Sequence, residues 1–193
     1  MANRVSARER LLTAASGLFY ERGISATGID TVIAQAGVAK MSLYNNFASK
    51  AELVEAYIET RTDTWRARLD IRLAAARTPT ERILAVFDSY ADYADGREGV
   101  FRGCGLLNAA AELAADDPAR ARVAAQKGEV AALFEAQLRD IGTLPDDRVK
   151  ETAEHLSFLL EGAMARAGLE GSGARLASAR RIAASLLKRF AAA

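Results

Sequence analysis

The chain has 193 residues, with 26 basic side chains, 25 acidic side chains and one cysteine. The balanced charge gives the whole chain no polyanion-binding character, the single cysteine excludes an internal disulfide, and no run reaches the ~20 apolar residues of a bilayer-spanning helix. The first ten residues lack the apolar core of a signal peptide, so a cytoplasmic protein with no membrane partner is expected. Abundant alanine and few prolines predict an all-α fold.

The first third of the chain carries clear helix boundaries. The apolar spacing and the glycine breaks predict helices over residues 7–22, 28–36, 40–47 and 50–76. Ser6 with Glu9 and Ser49 with Glu52 form capping boxes ahead of the first and fourth helices, and Gly37 marks a turn between the second and third. Two short helices joined by a glycine turn are therefore expected between two longer ones.

The rest of the chain predicts longer helices. They are expected over residues 80–95, 104–115, 118–140, 147–167 and 174–190. Thr78 and Glu81 form a further capping box with Pro79 at the first helical position. The prediction is an N-terminal three-helix helix-turn-helix domain over residues 1–52 and a larger helical domain over 53–193, with a fourth helix shared from about residue 50.

The short third helix suits recognition of double-stranded DNA. Val38, Leu43 and Phe47 are expected to fill a small core and leave a polar face outside. Residues 1–50 hold six basic and three acidic side chains, and 6 − 3 = +3 favours an anionic partner. Because glycine turns between short helices are common, a plain helical corner with a solvated polar face explains the same spacing.

The polar face of the third helix offers two kinds of DNA contact. Serine and asparagine can reach base edges in the major groove, and methionine can touch a thymine methyl. Tyr44, Lys50 and Thr27 are better suited to phosphate oxygens, which fix register without reading sequence. The residues expected to contact DNA are Thr27, Lys40, Met41, Ser42, Tyr44, Asn45 and Lys50.

The segment TGIDTVIAQAGVAKMSLYNNFASKAEL, residues 27–53, resembles the DNA-binding segment of the TetR (tetracycline-repressor) family. The matching features are Thr27, the A-G-V turn at residues 36–38, L-Y-x-x-F at 43–47 and S-K-x-x-L at 49–53. The resemblance implies a homodimeric, ligand-responsive transcriptional regulator, most often a repressor. It also implies phosphate contacts for Thr27, Tyr44 and Lys50, and base-facing roles for residues 40–42. Ala39 departs from the serine that often caps the third helix in the family.

The last two predicted helices carry the apolar stripes expected of a dimer interface. Two such helices from each subunit would form a four-helix interface, and two reading helices one DNA turn apart would bind a palindromic operator. The stripes equally fit helices that cover the core of one chain. The predicted interface residues are Leu156, Leu160, Ala163, Leu176, Ala183, Leu186, Leu187 and Phe190.

The middle helices carry bulky side chains that suit either a small-molecule pocket or an ordinary core. A pocket there would take a largely apolar ligand, because few buried charges are expected. Its occupancy would shift the population of regulator states through the shared fourth helix. The candidate pocket residues are Phe87, Tyr90, Phe101, Cys104, Asn108, Phe134, Phe158 and Met164.

Catalytic and metal-dependent functions find little support in the sequence. His155 and Cys104 are each the only residue of their type and lie on different predicted helices. No glycine-rich phosphate loop is present, so neither a catalytic residue nor a metal or cofactor is expected. An alternative is a redox-responsive regulator in which Cys104 is oxidised.

Overall fold

In the computed structural model, residues 5–94 and 101–191 are described. The helices in those ranges are α1 (Ala7–Arg22), α2 (Ile29–Ala36), α3 (Lys40–Tyr44), α4 (Lys50–Ala75), α5 (Pro79–Ala91), α6 (Gly105–Glu112), α7 (Pro118–Ile141), α8 (Asp146–Glu170) and α9 (Ala174–Ala191). The all-α prediction is confirmed, and no strand occurs in the described ranges. Residue 95, the predicted end of the fifth helix, lies outside the described residues.

Local capping explains where several helices begin. The Ser6 hydroxyl accepts a hydrogen bond from the Glu9 amide, and the Glu9 carboxylate accepts one from the Ser6 amide. Thr78 and Glu81 repeat this exchange at α5. Each pair satisfies amides that a helix start would otherwise leave unbonded, which holds the predicted boundaries in place.

The chain forms two compact units. The N-terminal unit comprises residues 1–62 and 105–123, and the C-terminal unit comprises residues 63–104 and 124–193. The chain therefore crosses between units three times, within α4, before α6 and within α7. The N-terminal unit differs from the predicted domain, because it extends past residue 52 and includes α6.

The core of the N-terminal unit forms where α1 packs on α2, α3 and α6. Leu11, Leu43 and Phe47 are almost completely buried there. The rings of Phe19 on α1 and Tyr57 on α4 meet edge to face at 5.6 Å. Burying each such side chain contributes about 1.5–3 kcal/mol, so this small core fixes the orientation of α3.

The core of the C-terminal unit joins α9 to α5 and α8. Phe87 on α5 and Phe134 on α7 stack with their centroids 5.9 Å apart, and both are fully buried. Arg180 on α9 pairs with Asp88 on α5 at 2.6 Å. Apolar packing at the centre and ion pairing at the edge thus hold α9 in place.

The segment before α6 runs against α8 with no space for a side chain at Gly168. A Cβ atom added there would lie 2.6 Å from the backbone nitrogen of Gly103. Contacts this short do not occur between real atoms, so glycine permits the close approach of the two backbones.

Candidate functional site

The orientation of α3 is set by the turn at Gly37. This residue has φ 60° and ψ 42°, the left-handed conformation that favours glycine. The Arg10 guanidinium on α1 donates a hydrogen bond to the Gly37 carbonyl at 2.5 Å. A Cβ atom at residue 37 would lie 2.8 Å from the same guanidinium nitrogen, which is the movable end of a side chain, so the backbone angle is what favours glycine.

The two faces of α3 differ sharply in exposure. Leu43 is fully buried, whereas Met41 is 65% exposed and Tyr44 is 49% exposed. Lys40 and Asn45 are also exposed, and Ser42 is half-buried. The structure thus presents a lysine, a methionine, a tyrosine and an asparagine together on a helix that its apolar residues anchor.

Lys40 does not stand alone on this surface. Its ammonium lies 3.1 Å from the Asp30 carboxylate on α2, and both side chains are well exposed. The hydrogen bond and the negative charge of Asp30 raise the pKa of Lys40, so the ammonium stays protonated at neutral pH. Asp30 was not among the predicted site residues, and its carboxylate could accept a hydrogen bond from a cytosine amino group.

Helix α3 is shorter than predicted, ending at Tyr44 instead of residue 47. The cause is Asn46, whose side-chain amide donates to the Ser42 carbonyl at 2.7 Å. The Asn46 backbone amide therefore bonds to Leu43, three residues back. Asparagine commonly competes with helical hydrogen bonds in this way, and the chain leaves the helix as a tight turn.

The predicted phosphate contact of Thr27 is wrong, and Lys50 has a partner within the chain. Thr27 is 1% exposed, and its hydroxyl donates to the Gly23 carbonyl at 2.7 Å. The half-buried Lys50 ammonium donates to the Ile24 carbonyl at 2.6 Å. Both polar groups therefore hold the loop between α1 and α2, and the burial of Thr27 removes its hydroxyl from reach of DNA.

The same loop receives a carboxylate that sequence reasoning missed. Glu112, at the end of α6, accepts hydrogen bonds from the amides of Ile24 and Ser25 at 3.0 and 2.8 Å. These partners lie 88 and 87 residues away in the chain. No local pattern announces such a contact, because it depends on how α6 packs on α1. Glu112 thus links α6 to the loop between α1 and α2.

The C-terminal unit contains a buried polar cluster, here called the Tyr90 cluster, formed by Tyr90, Cys104, Gln126, Lys127 and Glu161. The Lys127 ammonium lies 2.8 Å from the Glu161 carboxylate, 3.2 Å from the Tyr90 hydroxyl and 3.5 Å from the Cys104 sulfur. The Gln126 amide nitrogen lies 3.4 Å from the Tyr90 hydroxyl. The sequence indicated only the tyrosine and the cysteine.

Electrostatics fix the charge state of the Tyr90 cluster. Burial raises the pKa of Tyr90 to about 12, although the Lys127 ammonium acts in the opposite direction. Burial acts to lower the pKa of Lys127, but Cys104, Tyr90 and Glu161 outweigh it and raise this pKa above its ordinary value. Since the Tyr90 phenol is neutral at pH 7, we take Glu161 as the counter-charge of Lys127.

The candidate pocket residues do not all lie together. Six of them are buried in the C-terminal unit: Phe87, Tyr90, Phe101, Cys104, Phe134 and Met164. Phe158 is 65% exposed, so its assignment to an internal pocket is wrong. Asn108 is half-buried on α6 and belongs to the N-terminal unit.

The predicted interface stripe is mostly internal to one chain. Five of its residues are at most 1% exposed and cannot meet a second chain without unpacking the core: Leu156, Leu160, Leu176, Ala183 and Leu187. Ala163, Leu186 and Phe190 are half-buried. The correction follows from helix periodicity, because the most apolar stripe faces the chain's own core.

A different face of α8 and α9 remains open. A groove of about 770 Å³ lies there, lined by His155, Leu159, Ser178, Arg181, Ile182, Ser185, Leu186 and Arg189. Phe158 on α8 and Ile182 on α9 are 65% and 56% exposed. The outward face of these two helices therefore carries large apolar side chains.

The described ranges hold no group of three or more His, Cys, Asp or Glu side chains that could bind a metal ion. Cys104 is buried beside Lys127, whereas His155 is exposed on α8. Among the described helices, none is both long and apolar enough to cross a membrane.

Two family models match most of the chain. Residues 11–57 match the model described as bacterial regulatory proteins, tetR family, and residues 79–183 match the tetracyclin repressor-like C-terminal domain. The first match spans α1 to α3 and the start of α4. The second begins at α5 and ends within α9.

Individual relatives agree with these models. The HTH-type transcriptional activator FasR of Mycolicibacterium smegmatis is 34% identical over 86 residues, which are 45% of this chain and 39% of FasR. The chain thus aligns with about two-fifths of that relative's length. The HTH-type transcriptional regulator LmrA of Bacillus subtilis is 29% identical over 159 residues, 80% of this chain and 82% of LmrA.

A solved structure extends the likeness to almost the whole chain. SCO4454, a TetR-family transcriptional regulator from Streptomyces coelicolor, superimposes with a TM-score of 0.86 at 28% identity, covering 96% of each chain. The family models, the curated relatives and this structure point the same way. The chain belongs to the tetR family of bacterial regulatory proteins.

Proposed function

We propose that the chain is a homodimeric transcriptional repressor that binds a palindromic operator through α3 and is released by a small molecule. The observation that carries this proposal is the division of α3 into two faces. Leu43 is buried, while Lys40, Met41, Tyr44 and Asn45 are exposed. A short helix presented in this way suits the major groove, where side chains at its surface reach base edges.

Homodimerisation is supported by the open face of α8 and α9. The exposed Phe158 and Ile182 side chains would lose their contact with water in a dimer, and each would contribute about 1–3 kcal/mol. A five-residue α3 offers few base contacts by itself. Two copies spaced by one DNA turn, about 34–36 Å, would double those contacts and match a palindrome.

Release by a small molecule is supported by the contents of the C-terminal unit. Its buried aromatic side chains and the Tyr90 cluster combine apolar surface with a few polar groups, as ligand sites do. An effector can shift the equilibrium only if it binds two states of the protein unequally. The helices α4 and α7 run through both units and would carry such a shift along the chain.

The test is the salt dependence of binding to a duplex from upstream of the protein's own gene. For the wild type, affinity should fall steeply with salt, since cationic side chains displace counterions from phosphates. Lys40→Met should reduce the slope of log affinity against log salt by about one. Tyr44→Ala should weaken binding about tenfold or more.

Lys150→Met serves as the matched control, because Lys150 is an exposed lysine on α8. It should leave affinity and slope unchanged. If the Lys40 and Tyr44 variants bind as the wild type does, α3 is not the reading helix. A purified chain that stays monomeric at micromolar concentration would contradict the dimer.

A further inference from the structure

The Tyr90 cluster has polar atoms that no protein group satisfies. Within the described part of the chain, the side-chain oxygen of Gln126, one carboxylate oxygen of Glu161 and the indole nitrogen of Trp65 are buried without a hydrogen-bond partner. Gln126 is only 1% exposed. Leaving a buried polar atom unbonded costs about 1–3 kcal/mol, so these atoms favour any molecule that can bond to them.

The unbonded end of Gln126 does not depend on how its amide is oriented. One end of the amide faces the Tyr90 hydroxyl at 3.4 Å. If oxygen and nitrogen are exchanged, the tyrosine hydroxyl donates to the oxygen and the amide nitrogen becomes the atom without a partner. Either orientation leaves one polar end of this buried side chain available for a hydroxyl, which can donate and accept.

The unbonded oxygens belong to Gln126 and Glu161, the two side chains at the ends of one short series of polar contacts. Gln126 contacts the Tyr90 hydroxyl, which contacts the Lys127 ammonium, which in turn pairs with Glu161. Gln126 is therefore linked to the Tyr90 hydroxyl directly, and Glu161 is linked to it through Lys127. The ring centroids of Trp65 and Tyr90 lie 6.1 Å apart, so aromatic surface adjoins the polar groups.

Charge and access narrow the class of molecule. The positive charge of Lys127 is matched by Glu161, and Tyr90 is neutral, so a ligand carboxylate would meet no net positive charge. The side chains of Lys127 and Glu161 keep 19% and 27% exposure. The cluster therefore reaches the surface of the unit on that side, which allows a small molecule to approach.

We propose that the Tyr90 cluster binds the hydroxyl group of a neutral, phenol-like aromatic effector. The hydroxyl donates its one hydrogen to the unbonded Gln126 oxygen, and its own oxygen can accept from a buried donor. The aromatic ring packs beside Trp65 and Tyr90. This inference rests on the proposed function, in which a small molecule binds the C-terminal unit.

The test uses the fluorescence of Trp65, the only tryptophan in the chain. Phenol, toluene and benzoate are titrated into the full-length protein. Phenol should change the Trp65 emission saturably. Toluene lacks the hydroxyl and should bind about tenfold more weakly, which corresponds to one lost hydrogen bond. Benzoate should also bind more weakly than phenol, because its carboxylate would face Glu161.

Gln126→Leu should remove most of the advantage of phenol over toluene while leaving toluene binding unchanged. Gln35→Leu is the matched control, since Gln35 is exposed on α2 and should leave both affinities as in the wild type. Circular dichroism checks that both variants fold. If Gln126→Leu does not fold, Gln126→Met replaces it. The binding of phenol, toluene and benzoate to the wild type is then compared with binding to that variant.

Equal binding of phenol and toluene, or no saturable change with phenol at millimolar concentration, would overturn the inference. The first result would mean that water alone fills the polar positions. DNA binding is measured separately, without phenol. Loss of the phenol effect with intact DNA binding contradicts only this inference, whereas phenol binding without DNA binding contradicts only the proposed function.

Discussion

The two units treat an ammonium–carboxylate pair in opposite ways. In the N-terminal unit, Lys40 and Asp30 meet at the surface, with side chains 62% and 84% exposed. In the C-terminal unit, Lys127 and Glu161 meet at a similar distance but with 19% and 27% exposure, beside a buried tyrosine. Water screens the charges of the first pair, whereas each charge of the second pair depends on its partner for stabilisation.

The largest expected effect comes from removing the lysine of the less exposed pair, and the same change in the exposed pair is the comparison. Lys127→Met leaves a half-shielded carboxylate without its partner and should lower the free energy of unfolding by about 2–3 kcal/mol. Lys40→Met should change it by less than about 0.5 kcal/mol, because exposed pairs contribute little. Urea denaturation of both variants measures the difference. Equal losses would show that burial does not distinguish the pairs.

A second difference should be visible at high pH. The folded state raises the pKa of Tyr90 from 10.0 to about 12, so between these values the unfolded chain loses a proton that the folded chain retains. Stability is therefore unaffected by Tyr90 below pH 10 and should fall by about 1.4 kcal/mol for each pH unit from 10 toward 12.

Urea denaturation of the wild type and of Tyr90→Phe across this range isolates the contribution of Tyr90. The difference between the two proteins should grow with pH above 10. A Tyr90→Phe protein with the same slope as the wild type would contradict the effect of burial.

The smallest expected effect concerns the loop that Glu112 holds. Glu112→Gln keeps one acceptor oxygen and replaces the other by an amide NH2 that cannot accept from a backbone N–H, which should weaken this contact by about 1 kcal/mol. Hydrogen exchange at Ile24 and Ser25 should accelerate about fivefold, while exchange in the C-terminal unit stays constant. Glu129→Gln, at an exposed pair with Arg66, is the control and should leave that loop unchanged.

Features set by neighbours in sequence could be predicted. The capping boxes at Ser6 and Thr78 and the turn at Gly37 depend on residues a few positions apart, and the helix boundaries they mark agree with the structure. The exposure of Met41 and Tyr44 followed from helical spacing against the buried Leu43. Local rules were therefore sufficient to predict which side chains of α3 are exposed.

Features set by packing between distant parts of the chain could not be predicted from the sequence. Nothing near Thr27 indicates that its hydroxyl turns inward to Gly23, and nothing near Lys127 indicates that it meets Glu161 on another helix. The apolar stripes of α8 and α9 were found correctly, but periodicity alone does not say whether a stripe meets its own chain or a second one. In this chain Leu156 is buried in the core, whereas Phe158 on the same helix is exposed.

Because Gly168 lies against Gly103, a substitution at residue 168 would displace the segment that leads into α6. One added methyl group would push the two backbones apart. Cys104, next in the chain after Gly103, would move with them, although no group of the polar cluster itself would have been altered. Gly168→Ala would therefore change the position of Cys104 without replacing any side chain of the Tyr90 cluster.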